Sequence, residues 1–453
     1  MENQKKIPDV SFFSKLRMGS ELKNNPIEAL TTLAQEHDGI FKIKHFGNDI
    51  IVLSHPDYAK HVLKSNASRY SDNFVFNSFN AFNSNSEAPE EKVFLSTQKA
   101  VSTIIKSDKY EEYCSELFAD IDEYISANIE SPSRESVLNI ELELRRMVLK
   151  VNSKLFISPQ LEINADPVLD AMNDIFSNIN YFDKANGKLR NSFSEPFSYH
   201  PKMPKYVREA IEYIDGFSQQ IVEEFFLPSS EKGILIQALY NEYKQNHLSI
   251  DVIVTQVKIF LLEWFEAISQ AATWSLFLLD KNTNARKQIE NTFSAGLKNS
   301  RPDYNFLNQS PLLLSAVKES LRMYPPVWSI SKRALTEDSI DGYAIPQGAW
   351  VLILNYAIHR NGNVGENPNE FNPERFMNNS ILDKSEFNFM PFGYKEVSSF
   401  NQDFAIFETA AIVSSLLSRY RIRFRLKGIP TFNSTEIISS KQLILNSITK
   451  LNA

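Results

Sequence analysis

The stretch Ser310-Pro311-Leu312-Leu313-Leu314-Ser315-Ala316-Val317-Lys318-Glu319-Ser320-Leu321-Arg322-Met323-Tyr324-Pro325-Pro326 reads as a helix marked at both ends. Serine is a favoured cap, and proline suits the first helical position because the N–H it lacks would be unpaired there anyway. Tyr-Pro-Pro cannot continue the helix. Between these limits Glu319 and Arg322 stand three residues apart and share one face. Further on, Phe371-Asn372-Pro373-Glu374-Arg375-Phe376 brings a second arginine. A Glu-x-x-Arg pair alone is common on any helix. Followed by Tyr-Pro-Pro and then by Pro-Glu-Arg-Phe, it is a specific pattern.

A second pattern lies downstream: Pro391-Phe392-Gly393-Tyr394-Lys395-Glu396-Val397-Ser398-Ser399-Phe400-Asn401-Gln402-Asp403-Phe404-Ala405-Ile406-Phe407-Glu408. Between the two come Ser331-Lys332-Arg333-Ala334-Leu335-Thr336-Glu337-Asp338, Gly342-Tyr343-Ala344-Ile345-Pro346-Gln347-Gly348 and the strand-like run Trp350-Val351-Leu352-Ile353-Leu354. Together these segments resemble the cytochrome P450 haem-thiolate monooxygenases. The resemblance implies a mainly α fold with small β-sheets, a large helical part plus a smaller β-rich one, built as a single domain over residues 1–453. It also implies that Glu319, Arg322 and Arg375 form a buried Glu-Arg-Arg triad, a kind of network that holds geometry more surely than it adds stability. Arg333 falls where the family pairs an arginine with a haem propionate; an arginine closing a strand edge would look the same.

The second pattern keeps the frame of the family's haem loop and loses its chemistry. Aligned without a gap, the ligand cysteine falls on Ser399, the propionate-pairing arginine on Val397, and the glycine that lets the next helix run close under the haem on Asn401. A cysteine thiolate is a soft, charged ligand that pushes electron density onto iron and favours O–O cleavage. A serine hydroxyl offers neither the charge at neutral pH nor the softness. Asn401 and Lys395 add bulk where glycines are expected.

No other residue replaces the thiolate. The chain has one cysteine, Cys114, in a helix-like segment far upstream, and a lone cysteine there is usually a small buried residue. Its seven histidines show no ligand spacing. His359, in Ala357-Ile358-His359-Arg360-Asn361, sits in an ordinary family segment and reads as structural. Met390 flanks the loop without occupying a ligand position. The expectation is a protein with no cofactor and no metal.

From Ser249, a cap followed by Asp251 in the first turn, an apolar pattern runs through Phe260-Leu261-Leu262-Glu263-Trp264-Phe265-Glu266-Ala267-Ile268-Ser269-Gln270-Ala271-Ala272-Thr273-Trp274 to Leu279. A helix apolar on nearly all sides is buried. In the family this helix crosses the other face of the haem and carries Ala-Gly-x-Asp/Glu-Thr-Thr. The resemblance places Glu263 and Trp264 on the Ala-Gly, Glu266 on the acid, and Ala267 and Ile268 on the threonines. Only the acid survives. Alanine has no hydroxyl with which to deliver protons to dioxygen, and Trp264 is expected to fill the space that glycine leaves open.

The amino-terminal half agrees with the rest. Ile40-Phe41-Lys42-Ile43-Lys44 and Ile50-Ile51-Val52-Leu53 flank Gly47-Asn48 as a hairpin would, and a helix begins at Pro56. After Ala88-Pro89-Glu90-Glu91, Lys92 and Ser96 fall where the family brings further propionate partners. Phe74, Phe76, Phe79 and Phe82 among asparagines, and Phe193, Pro196, Phe197 and Tyr199 in a polar stretch, read either as pocket walls for an apolar ligand or partner, or as plugs that pin loops to the core.

Composition limits the functions available. A net charge of −7 argues against nucleic acid as the main partner. One cysteine excludes a disulfide framework and fits a reducing compartment, and the polar start Met1-Glu2-Asn3-Gln4-Lys5-Lys6-Ile7-Pro8 holds no signal core or membrane anchor. A cytoplasmic location is therefore expected.

The first expectation for function is a haem-free P450-like pseudoenzyme in specialised metabolism that binds. Its partner would be a glycosyltransferase, a carrier-bound assembly line or an apolar small molecule, as the resemblance to degenerate relatives implies. The second is a non-redox enzyme using the vacated cavity, with Glu263 and Glu266 as acid/base groups; with Gln270 they form one stripe on a buried helix, which needs partners or a wet cavity. Pairing of both glutamates with lysines or arginines is preferred to that catalytic role. A monooxygenase with an unusual haem ligand ranks last.

Overall fold

The order of elements in the computed structural model follows the patterning of the chain. The structure describes residues 5–10, 21, 25–45, 48–71, 91–106, 108–130, 139–178, 204–297, 300–377, 385–394, 401–426 and 443–451. The first helices are α1 (Pro26–Glu36), α2 (Pro56–Lys60), α3 (Glu91–Ile105), α4 (Tyr110–Tyr124), α5 (Ile140–Asn152) and α6 (Ala165–Asn178). Then come α7 (Lys205–Phe225), α8 (Ile234–Asn246), α9 (Ile250–Lys281), α10 (Thr283–Gly296), α11 (Tyr304–Asn308), α12 (Pro311–Met323), α13 (Asn355–Ile358), α14 (Glu374–Met377) and α15 (Gln402–Leu417). The strands are β1 (Ile40–His45), β2 (Asn48–Leu53), β3 (Ile330–Arg333), β4 (Asp338–Ile340), β5 (Tyr343–Ile345), β6 (Trp350–Ile353), β7 (Tyr420–Leu426) and β8 (Leu443–Lys450). The mainly α character with small sheets is as expected.

Helix α9 is the axis of the molecule. Ser249 caps it, its hydroxyl oxygen accepting from the Val252 N–H at 3.3 Å, with Asp251 in the first turn where the helix dipole favours an acid. Its 32 residues span about 48 Å at the α-helical rise. Side chains from Ile253 to Asp280 are buried on almost every face, and α5, α7, α12 and α15 pack around it. Such a helix is stable only inside the molecule.

Helix α12 has the expected ends, with Pro311 in its first turn and a stop at Tyr324. Its cap differs from the expectation. Ser310 makes no side-chain cap; its hydroxyl instead donates to the Phe306 carbonyl at 2.7 Å, satisfying the end of the preceding short helix α11.

The hairpin is present as β1 and β2, antiparallel with Ile40 opposite Leu53. β2 runs parallel to β6, which pairs antiparallel with β3, giving a four-stranded sheet in the order β1-β2-β6-β3. Its central strands read as continuous apolar runs because both faces are covered. Ile50 and Val52 of β2, with Leu352 of β6, enter the large helical core. Ile51, Leu53, Val351 and Ile353 point the other way, into a smaller cluster with Ile340, Ile345, Met390 and Tyr394. The sheet is the wall between a large helical core and a small β-rich one, and alternation along a strand is what lets it serve both.

Candidate functional site

Two of the three positions that decide the haem loop, Val397 and Ser399, lie outside the described residues, as do Lys395 and both aromatic segments. Asn401 is described, and it does more than crowd a glycine site. Its Oδ1 accepts from the Phe404 N–H at 3.1 Å, capping α15, while its Nδ2 donates to Ser102 Oγ of α3 at 3.1 Å. The start of the loop is fixed from the other side by His359. That ring is fully buried; its Nε2 accepts from the Met390 N–H at 2.8 Å, which leaves Nδ1 to donate to the Arg322 carbonyl at 3.2 Å. Burial, then the nearby Arg322 and Arg360, push its pKa down to about 3, so the imidazole is neutral and structural, as its sequence context suggests.

Arg322 belongs to the triad, which is assembled. Its Nε and one terminal nitrogen grip the two oxygens of Glu319 at 2.7 and 2.9 Å, and Arg375 Nε reaches Glu319 Oε1 at 3.2 Å. The other terminal nitrogen of Arg322 donates to the carbonyls of His359 and Pro368, both at 2.7 Å. Glu319 and Arg322 have no solvent exposure. A buried carboxylate is tolerable only with such complete pairing. Arg333 sits at the exposed end of β3 with its guanidinium 5.7 Å from the Trp350 ring centroid, an arrangement of the strand-edge kind.

The glutamates of α9 part company. Glu266 accepts from Arg145 Nε of α5 at 3.0 Å, with Arg145 Nη2 2.9 Å away in the same ion pair, and from Gln270 Nε2 at 2.9 Å. Arg145 continues to Asn173 Oδ1 of α6 at 2.7 Å. Glu266 is thus the centre of a polar tie between α9, α5 and α6. Glu263 is also buried, at 8% exposure, and is engaged within the fold.

Trp264, at 1% exposure, crosses from α9 to α15. Its indole N–H donates to Glu408 Oε2 at 3.0 Å. Its ring packs 4.9 Å from Phe156, 5.6 Å from Phe260 and 6.4 Å from Phe404, centroid to centroid, and Phe156 itself lies 5.7 Å from Phe404. Glu408 has no solvent exposure, and burial pushes its carboxyl up to about 7 against the opposing pull of Trp264 and Asn152. Sequence reasoning had no handle on Arg145, Asn152 or Phe156, whose partners lie far along the chain. Glu408 carried a signal, as the family's glutamate, but not its contact with Trp264.

The family's prosthetic group calls for a thiolate and a gap between these two helices. Cys114 lies in the large core on α4, and burial pushes its thiol up to about 12. Among the described residues no cluster of His, Cys, Asp or Glu has metal-binding geometry. Where Trp264 reaches Glu408, α9 and α15 are joined side chain to side chain. Among the described residues the free cysteine is Cys114, held as a neutral thiol by burial, so they supply no thiolate to hold a haem.

The architecture nonetheless defines a class. The sequence pattern of the Cytochrome P450 family matches residues 8–446, and the chain belongs to that family. It is similar to cytochrome P450 4V2 of Homo sapiens, 30% identical over 185 residues, 40% of this chain and 35% of the relative. The cytokinin hydroxylase of Arabidopsis thaliana is 30% identical over 220 residues, 47% of this chain and 42% of the relative. Cyclooctat-9-en-7-ol 5-monooxygenase of Streptomyces melanosporofaciens is 24% identical over 235 residues, 50% of this chain and 51% of that protein. The chain thus spans about a third to a half of the length of these relatives. Among the described residues no helix is long and apolar enough to cross a membrane.

Proposed function

We propose that this P450-family protein works without haem and without monooxygenase chemistry, as a binding protein whose occupant is a protein partner or an apolar small molecule. The observation that carries the reading is the Trp264–Glu408 bond, which closes α9 onto α15 where the family needs space. Two sequence features support it: serine at the ligand position, and a single cysteine that lies elsewhere. On this reading the hydroxylation and monooxygenation for which relatives are named are chemistry this chain has given up.

The acid/base alternative draws less support. Glu266 is held by Arg145 and Gln270, and a carboxylate spent on such a tie favours a structural role. The decisive experiment is haem reconstitution. Purified protein supplemented with hemin is expected to have no Soret band and no carbon-monoxide difference spectrum. Stoichiometric haem in that experiment would overturn the reading. A role for Glu266 in turnover would be revealed by a Glu266→Gln variant that folds and has lost activity on a bound ligand.

A further inference from the structure

Beneath Trp264 lies a polar arrangement that the binding role does not use. Glu408 spends Oε2 on the indole, while its Oε1, buried with no exposure, has no hydrogen-bond partner. Asn152, at the end of α5 and equally buried, has neither its amide oxygen nor its amide nitrogen bonded. The Asn152 amide is near enough to favour the ionised form of Glu408, yet the two side chains fall short of direct hydrogen-bond geometry. Three unsatisfied polar atoms sharing one buried place would each cost heavily if left dry. A single internal water, which needs two to four polar partners, would bond Glu408 Oε1 and one end of the Asn152 amide at a time.

We propose that Glu408 and Asn152 bind one internal water and form with it a proton-holding site, whose loss of a proton shifts the seat of Trp264 between α9 and α15. In the neutral form the Glu408 O–H donates to the water, the water donates to Asn152 Oδ1, and Oε2 accepts from the indole. On ionisation the Glu408 proton passes out to bulk solvent, the water donates to Oε1 instead, and Asn152 must turn its amide to donate to the water. The charge then lies buried, with the indole and the water as its donors.

The surroundings leave Glu408 to titrate alone. No charged group contributes to its ionisation, which is set by burial, Trp264 and Asn152. Helix α15 also packs against α4, α11, α12 and β7. The titratable groups of those elements that pack in the large core are Tyr110, Tyr113, Cys114 and Tyr124 on α4, Tyr304 on α11, and Tyr420 on β7; burial holds Tyr110, Cys114 and Tyr420 in their neutral forms. Glu319 and Arg322 on α12 are closed within their own triad. On α9, Glu266 is closed on Arg145, and Glu263 is engaged within the fold.

The test is a tryptophan emission titration of the full chain from about pH 5 to about pH 9, a range that brackets the carboxyl's midpoint. A reversible change centred near pH 7 is expected, absent from Trp264→Phe, and absent from Glu408→Gln, whose emission stays at its acid-side value. No change in the unaltered protein, or the same change in Glu408→Gln, would overturn the proposal. Asn152→Leu should move the midpoint upward, since it removes a donor to the charged form; an unmoved midpoint overturns the shared site. Because core variants can fail to fold, the infrared difference spectrum of the unaltered protein gives an independent reading. A buried protonated-carboxyl band must be present at the acid end and vanish at the alkaline end, and its absence sinks the proposal.

Discussion

Glu408 shows how one side chain can set the pH response of a core. Its carboxyl lies near 4.5 when exposed and about 7 when folded, with burial as the leading cause. A folded pKa raised above the unfolded one means the native state binds more protons over that interval, so stability is complete below about 4.5 and falls as pH rises through about 7. At about 1.4 kcal/mol per unit, the loss amounts to about 3 kcal/mol. Denaturant unfolding at the two ends of this interval should find the chain weaker at the alkaline end by that order. Glu408→Gln should abolish the difference, because the amide keeps an acceptor for the Trp264 N–H and carries no charge. The Glu266 tie is of another kind, because its charge is matched. Arg145→Leu should cost about 3–5 kcal/mol by stranding Glu266, whereas Arg145→Leu with Glu266→Leu should recover much of that loss. A double-mutant cycle of unfolding free energies checks this, and equal destabilisation of the single and double variants would contradict it.

At the scale of elements, tight packing makes small residues decisive. Gly233 precedes α8, and a Cβ there would lie 2.5 Å from the Phe156 carbonyl carbon and 2.6 Å from the Leu155 carbonyl oxygen, both backbone atoms that cannot rotate away. Gly233→Ala should therefore destabilise by about 1–3 kcal/mol, in the range of overpacked cores, and displace the turn that carries Phe156 against Trp264. A thermal melt indistinguishable from that of the unaltered protein would refute the argument. The limits of α9 and α12, the β1–β2 hairpin and β6 were all legible in the sequence, because caps, prolines and apolar period are local signals. The triad was legible too, as a pattern spread over three motifs. What the sequence could not yield were the partners that give the site its character. Arg145 and Glu266 are separated by 121 residues and Trp264 and Glu408 by 144, and no local periodicity encodes contacts at such range. Ser310 went astray for a related reason: a cap-forming residue between two helices can serve either, and it serves α11.

At the scale of the whole molecule, the proposed absence of haem chemistry could follow from one lost ligand or from a closed core. If the thiolate alone were missing, Ser399→Cys would restore a soft anionic ligand on an otherwise intact frame, and hemin would bind. The contacts of Trp264 argue for the second view. Its indole joins α9 to α15, and Phe156, Phe260 and Phe404 close around it, so the space is occupied by close-packed side chains and not by an empty slot. Ser399→Cys by itself should then give no Soret band in the presence of hemin. Trp264→Gly by itself opens the gap and supplies no ligand; it should lose about 3–5 kcal/mol of stability, as large aromatic deletions in cores do, and also stay colourless. Only the two together should gain a measurable Soret absorbance, and with it part of the lost stability, since a ligand that binds only the folded state stabilises it. Haem uptake by Ser399→Cys alone would place the whole loss of function at one side chain and end the case for a refilled core.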